Sequence, residues 1–260
     1  MKTPTKLPHS KAASWEPASQ WYKSLVGAEG HYYHQQIIIP NLLRLLNLQA
    51  CSSPAILDIA CGSGVLARHL PTHTNYMGID LSPTLIKEAK KLDTNLQHHY
   101  RVADVTKNLS LDDKKFTHAT IILALQNISS PLQVFHNAYK HLEKHGVLIM
   151  VLNHPYFRLP RQTSWQIDKD KKLQYRRIDR YMSPLEIPIC AHPSKGQHSA
   201  QLTSYHFPLC NYFHWLREAG FSVYDMEEWC SDKVSTGANA KMENRSRQEF
   251  PLFMTLCAQK

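Results

Sequence analysis

The stretch AILDIACGSGVLARHL, residues 55–70, decides the fold of this chain. Its first six residues form a nearly continuous apolar run, which is typical of a strand buried on both faces of a parallel sheet. A turn containing Gly62 and Gly64 follows at once, and we expect VLARHL after it to be helical. Together with Ala67, these glycines fit the G-x-G-x-x-G/A pattern with which Rossmann-type sheets bind nucleotides. The pattern alone does not identify the nucleotide.

Strands and helices alternate along the chain after this turn. Further strands are predicted at residues 75–80, 98–104, 117–125, 147–152, 221–229 and 250–258, and helices at 82–92, 130–144 and 210–220. A Ser-Pro pair marks the start of the first two of these helices, and Gly146 is expected to end the second. The alternation predicts an α/β fold, a three-layer doubly wound sheet of seven strands. Strands one to five are expected to be parallel and the C-terminal strand antiparallel.

The alternation divides the chain into three segments. Residues 1–50 are expected to form a disordered tail (1–14) and a helical lid, with a helix over 31–48 kinked at Pro40. The core for binding a cofactor is expected to comprise residues 51–152 and 208–260. Residues 153–207 are rich in Pro, His and basic side chains and show no clear period. We interpret them as an insertion after strand five that forms part of the substrate pocket.

Charge and cysteine content limit the functional classes. The chain has 260 residues and a formal net charge of +9. Residues 158–180 hold eight Lys or Arg against three Asp, a local +5 that can meet nucleic acid, an acidic substrate or simply solvent. None of the six cysteines is paired in CxxC spacing, and no apolar run is long enough to span a membrane. These features predict a cytoplasmic protein with reduced thiols and no stable membrane insertion.

Three aspartates at predicted strand ends indicate which nucleotide fits. Asp58 precedes the glycine turn, where a carboxylate would repel a pyrophosphate and attract a cationic amine. Asp80 ends the second strand, where it can accept hydrogen bonds from both ribose hydroxyls. Asp104 ends the third strand, where an exocyclic adenine amine would lie. The three positions suit S-adenosylmethionine, which has an ammonium group and no phosphate, better than NAD.

With these motifs the sequence resembles the class I S-adenosylmethionine-dependent methyltransferases. The matching pieces are LDIACGSG, MGIDLSP, VADV and LEKHGVLIMV, over about residues 52–152, and the resemblance resumes at 210–258. In its glycine turn and later strands the chain is similar to quinone-biosynthesis methyltransferases of the small-molecule type. The resemblance implies S-adenosyl-L-methionine as cofactor and the following cofactor-binding residues: Asp58, Ala60, Gly62, Gly64, Asp80, Leu81, Asp104, Val105, Leu125 and Gln126. Ala60 departs from the family, which usually has Gly there.

A second motif, Asn153-His154-Pro155-Tyr156, is similar to the Asn-Pro-Pro-Tyr signature of methyltransferases that modify amino groups. That signature follows the fourth strand, whereas the motif here follows the fifth, so we reject this assignment. The ends of strands four and five still face the substrate crevice of a doubly wound sheet. His154 is therefore a candidate general base, with the alternative that it only caps a turn.

Further candidates come from the lid and the insertion. Tyr33 and His34 are candidate catalytic residues on the N-terminal helix. His31 and His34 could share a metal, but no third ligand is evident, and we predict no metal site. The candidate substrate-binding residues are Asn127, Asn153, Arg158, Arg161, Trp165 and Tyr181. Their mixture of aromatic and arginine side chains suits a flat or anionic substrate.

The sequence therefore predicts an enzyme that transfers a methyl group to a small-molecule acceptor, with an aromatic or quinone-like compound favoured. The main alternative is an RNA methyltransferase that uses the basic insertion, which should bind RNA with a steep salt dependence. A non-catalytic regulator that binds S-adenosylmethionine is a third interpretation. A dehydrogenase is the last, and Asp58 argues against it.

Overall fold

The computed structural model describes residues 15–111, 115–191 and 200–260. In chain order the strands are β1 (Ala55–Ile59), β2 (Asn75–Asp80), β3 (His98–Val102), β4 (Phe116–Ile122), β5 (Leu142–Asn153), β6 (Thr163–Asp168), β7 (Leu173–Ile178), β8 (Leu185–Cys190), β9 (Gln201–His206), β10 (Ser222–Trp229) and β11 (Phe253–Gln259). The α-helices are α1 (Ser19–Val26), α2 (Ile39–Leu46), α3 (Pro83–Leu92), α4 (Pro131–His141), α5 (Leu209–Glu218) and α6 (Ala240–Glu249). The segment expected to be a disordered tail, 1–14, lies outside the described residues.

Seven strands form one sheet in the order β3-β2-β1-β4-β5-β11-β10. Neighbouring strands from β3 to β5 pair in parallel, and β11 pairs antiparallel with both β5 and β10. The prediction of a doubly wound sheet with five parallel strands and an antiparallel C-terminal strand is confirmed. The reversal of strand order between β1 and β4 opens a crevice at their carboxyl ends, where such sheets bind ligands.

Helices cover both faces of this sheet, as the predicted three layers require. Leu57 and Ile59 of β1 pack in one apolar cluster with α4 and α5. Ile56, on the opposite face of the same strand, packs in a second cluster with α1, α2 and α3. Because β1 is apolar on both faces, it can occupy the centre of the sheet.

The prediction of a helix directly after the glycine turn is wrong. Only a short 3-10 turn, Ala67–His69, follows, and Leu70 is already extended. The guanidinium of Arg68 donates to the carbonyls of Ser63 and Gly64 at 2.6 and 2.9 Å, which closes the chain on itself. Pro71 then disfavours helical geometry at the preceding residue.

The helix expected over 130–144 is shorter than predicted. It ends at His141, and β5 begins at Leu142. A β-bulge shifts the register between β4 and β5 there, and His145 takes a left-handed backbone with φ of 65°. Gly146 therefore serves this bulge, not a helix end, and a side chain on it would meet the Glu143 carbonyl at 3.0 Å.

The insertion, predicted to have no regular period, contains two antiparallel hairpins. β6 pairs with β7, and β8 pairs with β9. Helix α6, between β10 and β11, was also missed by the sequence prediction. It contacts the first hairpin, where the Ser246 hydroxyl donates to the Gln174 carbonyl at 3.0 Å. The division of the chain into lid, core and pocket-forming insertion stays a prediction.

The N-terminal helix predicted over 31–48 forms, with an irregularity in its centre. A π-helical turn, His34–Ile38, runs directly into α2. Pro40 has no amide hydrogen for the regular helical bond, and the wider turn precedes it.

None of the helices in the described ranges is long and apolar enough to cross a membrane, and the six cysteines are free thiols. The expected cytoplasmic location stays a prediction.

Buried Asn137 on α4 holds the loop between β3 and β4. Its side-chain nitrogen donates to the carbonyls of Val105 and Lys107, at 2.8 and 2.6 Å. Its side-chain oxygen accepts from the Leu109 amide at 3.1 Å. One amide thus satisfies three backbone groups, and it fixes the loop that follows Asp104 at the sheet's carboxyl edge.

We expect Asn137→Ala to lower the free energy of unfolding by at least about 3 kcal/mol, because it orphans three backbone groups and each costs roughly 1–3 kcal/mol when buried. Urea unfolding followed by circular dichroism measures this change. The neighbouring His136→Ala, at an exposed position of the same helix, is the control and should unfold near the wild-type midpoint. Equal midpoints for the two variants would contradict the role assigned to Asn137.

Candidate active site

A cavity of about 420 Å³ lies at the carboxyl ends of the parallel strands. Its floor comes from the residues that follow β1 to β5, its roof from the N-terminal helices, and one wall from Phe253 and Arg158. The predicted site residues that line it are Tyr33, His34, Ala60, Gly62, Asp80, Leu81, Asp104, Val105, Gln126, Asn127, Asn153 and Arg158. Cofactor and substrate candidates thus share one cavity.

Asp80 organises the end of the cavity next to the glycine turn. Its carboxylate accepts from the Gly62 amide at 2.9 Å and from the Ser82 amide at 2.8 Å. Burial raises the pKa of Asp80, opposed by these two backbone donors. Each carboxylate oxygen has a further lone pair, so the group can still accept from a ligand hydroxyl.

Asp104 and Val105 line the next part of the cavity, beyond β3. One carboxylate oxygen of Asp104 accepts from both the amide and the hydroxyl of Thr106, at 2.9 and 2.6 Å. These bonds close a tight turn. No donor among the described residues is bonded to the second carboxylate oxygen of Asp104, so this oxygen can accept from a ligand. The carboxylates of Asp80 and Asp104 make this end of the cavity acidic.

Asp58 lies below the cavity and does not line it. It is 2% exposed, and its two oxygens accept from the hydroxyls of Tyr76 and Thr120, at 2.7 and 2.8 Å. Burial raises the pKa of Asp58 to about 6, opposed by these hydrogen bonds. The structure therefore corrects the predicted direct contact: Asp58 can act on a ligand only through its charge at neutral pH.

Two residues at strand ends in the cavity hold an unfavourable backbone conformation. Ala60, after β1, has a φ of 58°, and Leu123, after β4, has a φ of 50°. A left-handed conformation costs a residue with a side chain about 1–2 kcal/mol. This cost explains why the family that the sequence resembles usually has glycine at the position of Ala60, since glycine adopts this conformation without strain. Strain held at a ligand-facing edge is a feature of functional sites.

The N-terminal segment expected to be a lid places aromatic side chains over the glycine turn, and these were not among the predicted site residues. A side chain on Gly62 would meet the Tyr22 hydroxyl at 3.0 Å, so the tyrosine lies directly over the turn. Trp15 packs on Tyr22 with ring centres 5.6 Å apart, and Trp21 also lines the cavity. The density of aromatic residues in so short a segment was the available signal.

Side-chain contacts with α3 hold this lid in place. Glu16 accepts from the hydroxyls of Ser82 and Thr84 at the first turn of α3, which lowers the pKa of Glu16. Lys23 of α1 pairs with Glu88 of α3 at 2.7 Å. An acidic side chain at a helix N-terminus is favoured by the exposed amides and the helix dipole.

His31, Tyr33 and His34 also line the cavity. His34 is 6% exposed, and its Nδ1 has no hydrogen-bond partner within the described part of the chain. Burial lowers the pKa of His34 to about 3, and nearby His31, with ring centres 4.1 Å apart, adds to the effect. His34 is therefore neutral at physiological pH. Across the described residues no group of three His, Cys, Asp or Glu is arranged to hold a metal.

His154 is placed as a turn cap, which was the alternative interpretation of this residue. Its Nδ1 accepts from the amides of Tyr156 and Phe157, at 3.2 and 3.4 Å, and its Nε2 lies 2.6 Å from Glu228. Burial lowers the pKa of His154, opposed by Glu228. Because both ring nitrogens are engaged and the ring lies off the cavity, the prediction of a general base is wrong.

The remaining candidates lie away from the cavity. Trp165 is 40% exposed on the first hairpin and packs on Phe250, with ring centres 5.3 Å apart. The Tyr181 hydroxyl accepts from the Leu209 amide at 2.9 Å, and Arg161 is exposed in a left-handed turn. These three are not positioned to touch a substrate in the cavity.

Two cofactor candidates have structural roles instead. Gly64 has no side chain and so makes room for Tyr100, and Leu125 is buried in the core.

This geometry defines a nucleotide-binding α/β class in which phosphate is disfavoured. Two cavity-lining carboxylates and a third buried below the glycine turn would repel a pyrophosphate. Carboxylates at the ends of β2 and β3 instead suit a ribose and an adenine amine. The residues present therefore fit S-adenosylmethionine, which carries both groups and a cationic amine.

Comparisons with known proteins agree with this class. Residues 57–150 match the methyltransferase domain family. A ubiquinone biosynthesis O-methyltransferase from Hydrogenovibrio crunogenus is 27% identical over 112 residues, which is 42% of this chain and 46% of that protein. The aligned part thus spans less than half of that relative.

Solved structures show the same fold over most of the chain. A methyltransferase from Mesorhizobium loti superposes with a TM-score of 0.66 at 24% identity, covering 85% of this chain and 96% of that one. One from Clostridium acetobutylicum gives 0.57 at 19% identity, covering 93% and 97%. Both are described as S-adenosylmethionine-dependent. Residues 57–150 thus match a methyltransferase domain, and the chain has the fold of these S-adenosylmethionine-dependent methyltransferases, as its motifs predicted.

The buried carboxyl of Asp58 should make stability depend on pH. The folded protein holds this proton up to about pH 6, whereas the unfolded chain releases it near its ordinary pKa of about 3.9. Stability from this group is therefore complete below about pH 4 and is lost as the pH rises through about 6.

We expect the unfolding free energy of wild type, minus that of Asp58→Asn, to fall by about 2–3 kcal/mol between pH 4 and pH 7. Urea unfolding at several pH values measures it. Asp170→Asn, at an exposed position, should show no such trend. A pH-independent difference between wild type and Asp58→Asn would show that the pKa of Asp58 is not raised.

Proposed function

We propose that this chain transfers a methyl group from S-adenosylmethionine to a small-molecule acceptor, with an aromatic or quinone-like compound favoured. The observation that carries the proposal is one cavity with carboxylates at the ends of β2 and β3 and, beyond β5, an aromatic wall of Tyr33 and Phe253. The partial match to a ubiquinone biosynthesis O-methyltransferase supports a small acceptor.

The acidic end would hold the cofactor. Asp80 would accept from the ribose hydroxyls, and Asp104 from the adenine amine, beside Val105 and Leu81. Ala60 and Gly62 would lie along the methionine part under the Tyr22 ring. The sulfonium of the bound cofactor supplies an electrophilic methyl group. The contribution of the protein is then mostly to hold the two reactants in line.

The aromatic end would hold the acceptor. Phe253 and Tyr33 form an edge-to-face pair with ring centres 5.7 Å apart, a wall on which a flat molecule can pack. Neutral His34 presents a ring nitrogen that has no hydrogen-bond partner in the described ranges of the chain. With a pKa of about 3 it is a weak base, so its role would be to accept a hydrogen bond from the nucleophile and orient it.

The lid would exclude water from the reacting groups. Tyr22 and Trp15 cover the glycine turn, and the Glu16 contacts with α3 hold them there. Removing water strengthens the electrostatic interactions of a charged cofactor and prevents its hydrolysis. Opening of the lid would therefore be needed for the cofactor to enter.

RNA is the second candidate acceptor, favoured by the hairpin of β6 and β7. It exposes Trp165 and Tyr175, at 40% and 48%, among basic residues of the 158–180 segment. Exposed aromatic rings among cations can stack on bases and bind phosphates. The Arg176 guanidinium already lies 5.0 Å from the centre of the Trp165 ring, so this ring and this cation are less available to stack on a base or bind a phosphate.

We expect methyl-labelled S-adenosylmethionine, incubated with the purified protein and a cell extract, to label the organic-soluble small-molecule fraction. Asp80→Ala should abolish that label, because it removes the ribose-binding carboxylate, and Asp170→Asn should leave it unchanged. Counting the organic, RNA and protein fractions separately is the measurement.

Label that nuclease releases from RNA would contradict the small-molecule proposal and favour the second candidate. Cofactor binding with no label in any fraction would indicate a non-catalytic regulator instead.

A further inference from the structure

We propose that the acceptor carries an oxyanion group, a carboxylate or a phosphate monoester, and that Arg158 binds it. This inference rests on the proposed function and specifies the substrate class of the same cavity. The observation behind it is a cation on the cavity wall that has no counter-charge among the described residues.

Arg158 follows β5 and lines the cavity beside Asn153 and Phe253. Its backbone amide donates to the His154 carbonyl at 2.9 Å, which fixes the residue in the turn. Its guanidinium lies 5.7 Å from the centre of the Phe253 ring. No carboxylate or carbonyl in the described part of the chain accepts a hydrogen bond from this guanidinium. Its donors thus face the cavity unpaired.

Holding this guanidinium away from water has a cost. Burial lowers the pKa of Arg158, and the Tyr33 phenol is the group that opposes the effect. A half-buried arginine without an anion is unfavourable unless a ligand supplies the partner. Five donors in a planar fork match the two oxygens of a carboxylate or phosphate.

The charges in the cavity are separated along the sheet. Asp80 and Asp104 lie at the β2 and β3 ends, while Arg158 lies beyond β5. A ligand pair that fills the cavity should therefore be cationic or neutral at the first end and anionic at the second. The acidic end suits the ammonium and ribose of the cofactor, which leaves the arginine for the acceptor.

The carboxylate of the cofactor itself is the rival partner for Arg158. The glycine turn follows β1, and β4 lies between β1 and β5, so the two positions are about 10 Å apart across the sheet. A second, smaller cavity of about 40 Å³ shares Arg158, Asn153 and Gln126 with the first. Its lining includes neither Asp80 nor Asp104, which favours an acceptor group at Arg158.

Calorimetry on the protein saturated with S-adenosylhomocysteine tests the inference with three probes. The probes are 4-hydroxybenzoate, phenyl phosphate and the neutral 4-hydroxybenzamide. We expect at least one anionic probe to bind about tenfold or more tightly than the amide, since a charge-assisted bidentate contact is worth that much. Which anion binds distinguishes a carboxylate from a phosphate.

Arg158→Gln should remove this preference and leave the affinity for S-adenosylhomocysteine unchanged. Arg177→Gln, an exposed residue of β7 with the same change in net charge, should keep the preference. The inference is overturned if wild type shows no preference, if Arg158→Gln retains it, or if Arg158→Gln weakens S-adenosylhomocysteine binding. Failure of wild type to bind S-adenosylhomocysteine at all would instead refute the proposed function.

Discussion

The carboxylate of Asp80 is the contact on which the site depends. By accepting from the amides of Gly62 and Ser82 it joins the glycine turn after β1 to the first turn of α3. The Ser82 hydroxyl in turn donates to Glu16, which holds the lid. One buried charge therefore fixes the turn, the helix start and, through Glu16, the roof of the cavity. A charge-assisted hydrogen bond is stronger than a neutral one, so this junction is stiff.

A stiff floor lets the rest of the cavity hold unfavourable features. Ala60 and Leu123 keep left-handed backbones at its edge, and, within the described residues, the His34 nitrogen has no hydrogen-bond partner and the Arg158 cation has no anion. Each costs free energy that the surrounding core must offset. These unfavourable features are concentrated around one cavity, which indicates that the cavity binds ligands.

The fold could be predicted from the sequence because local signals and the global pattern agree. Strand β1 is apolar on both faces, and the Ser-Pro pairs begin α3 and α4 as expected. The errors have local causes. Arg68 and Pro71 prevent a helix after the glycine turn, and a bulge at His145 and Gly146 extends β5 into the expected helix. The first hairpin of the insertion was missed because neither of its strands has a fully buried residue, so no apolar face marks them.

The candidate site was predictable where a glycine or an aspartate directly follows or ends a parallel strand. Gly62, Asp80 and Asp104 reach the cavity because every carboxyl end in a parallel sheet points there. His154 could not be judged, since only the fold brings Glu228 to its ring. Tyr22 was missed because its role arises from how the lid packs on Gly62, which no local pattern records.

A crystal structure of the protein with S-adenosylhomocysteine tests the central claim most directly. The account predicts the ribose hydroxyls within hydrogen-bond distance of Asp80, the adenine amine at Asp104, and the sulfur directed toward the space between His34 and Arg158. A ligand bound outside this cavity, or one turned so that its adenine lies at the aromatic end, would contradict it.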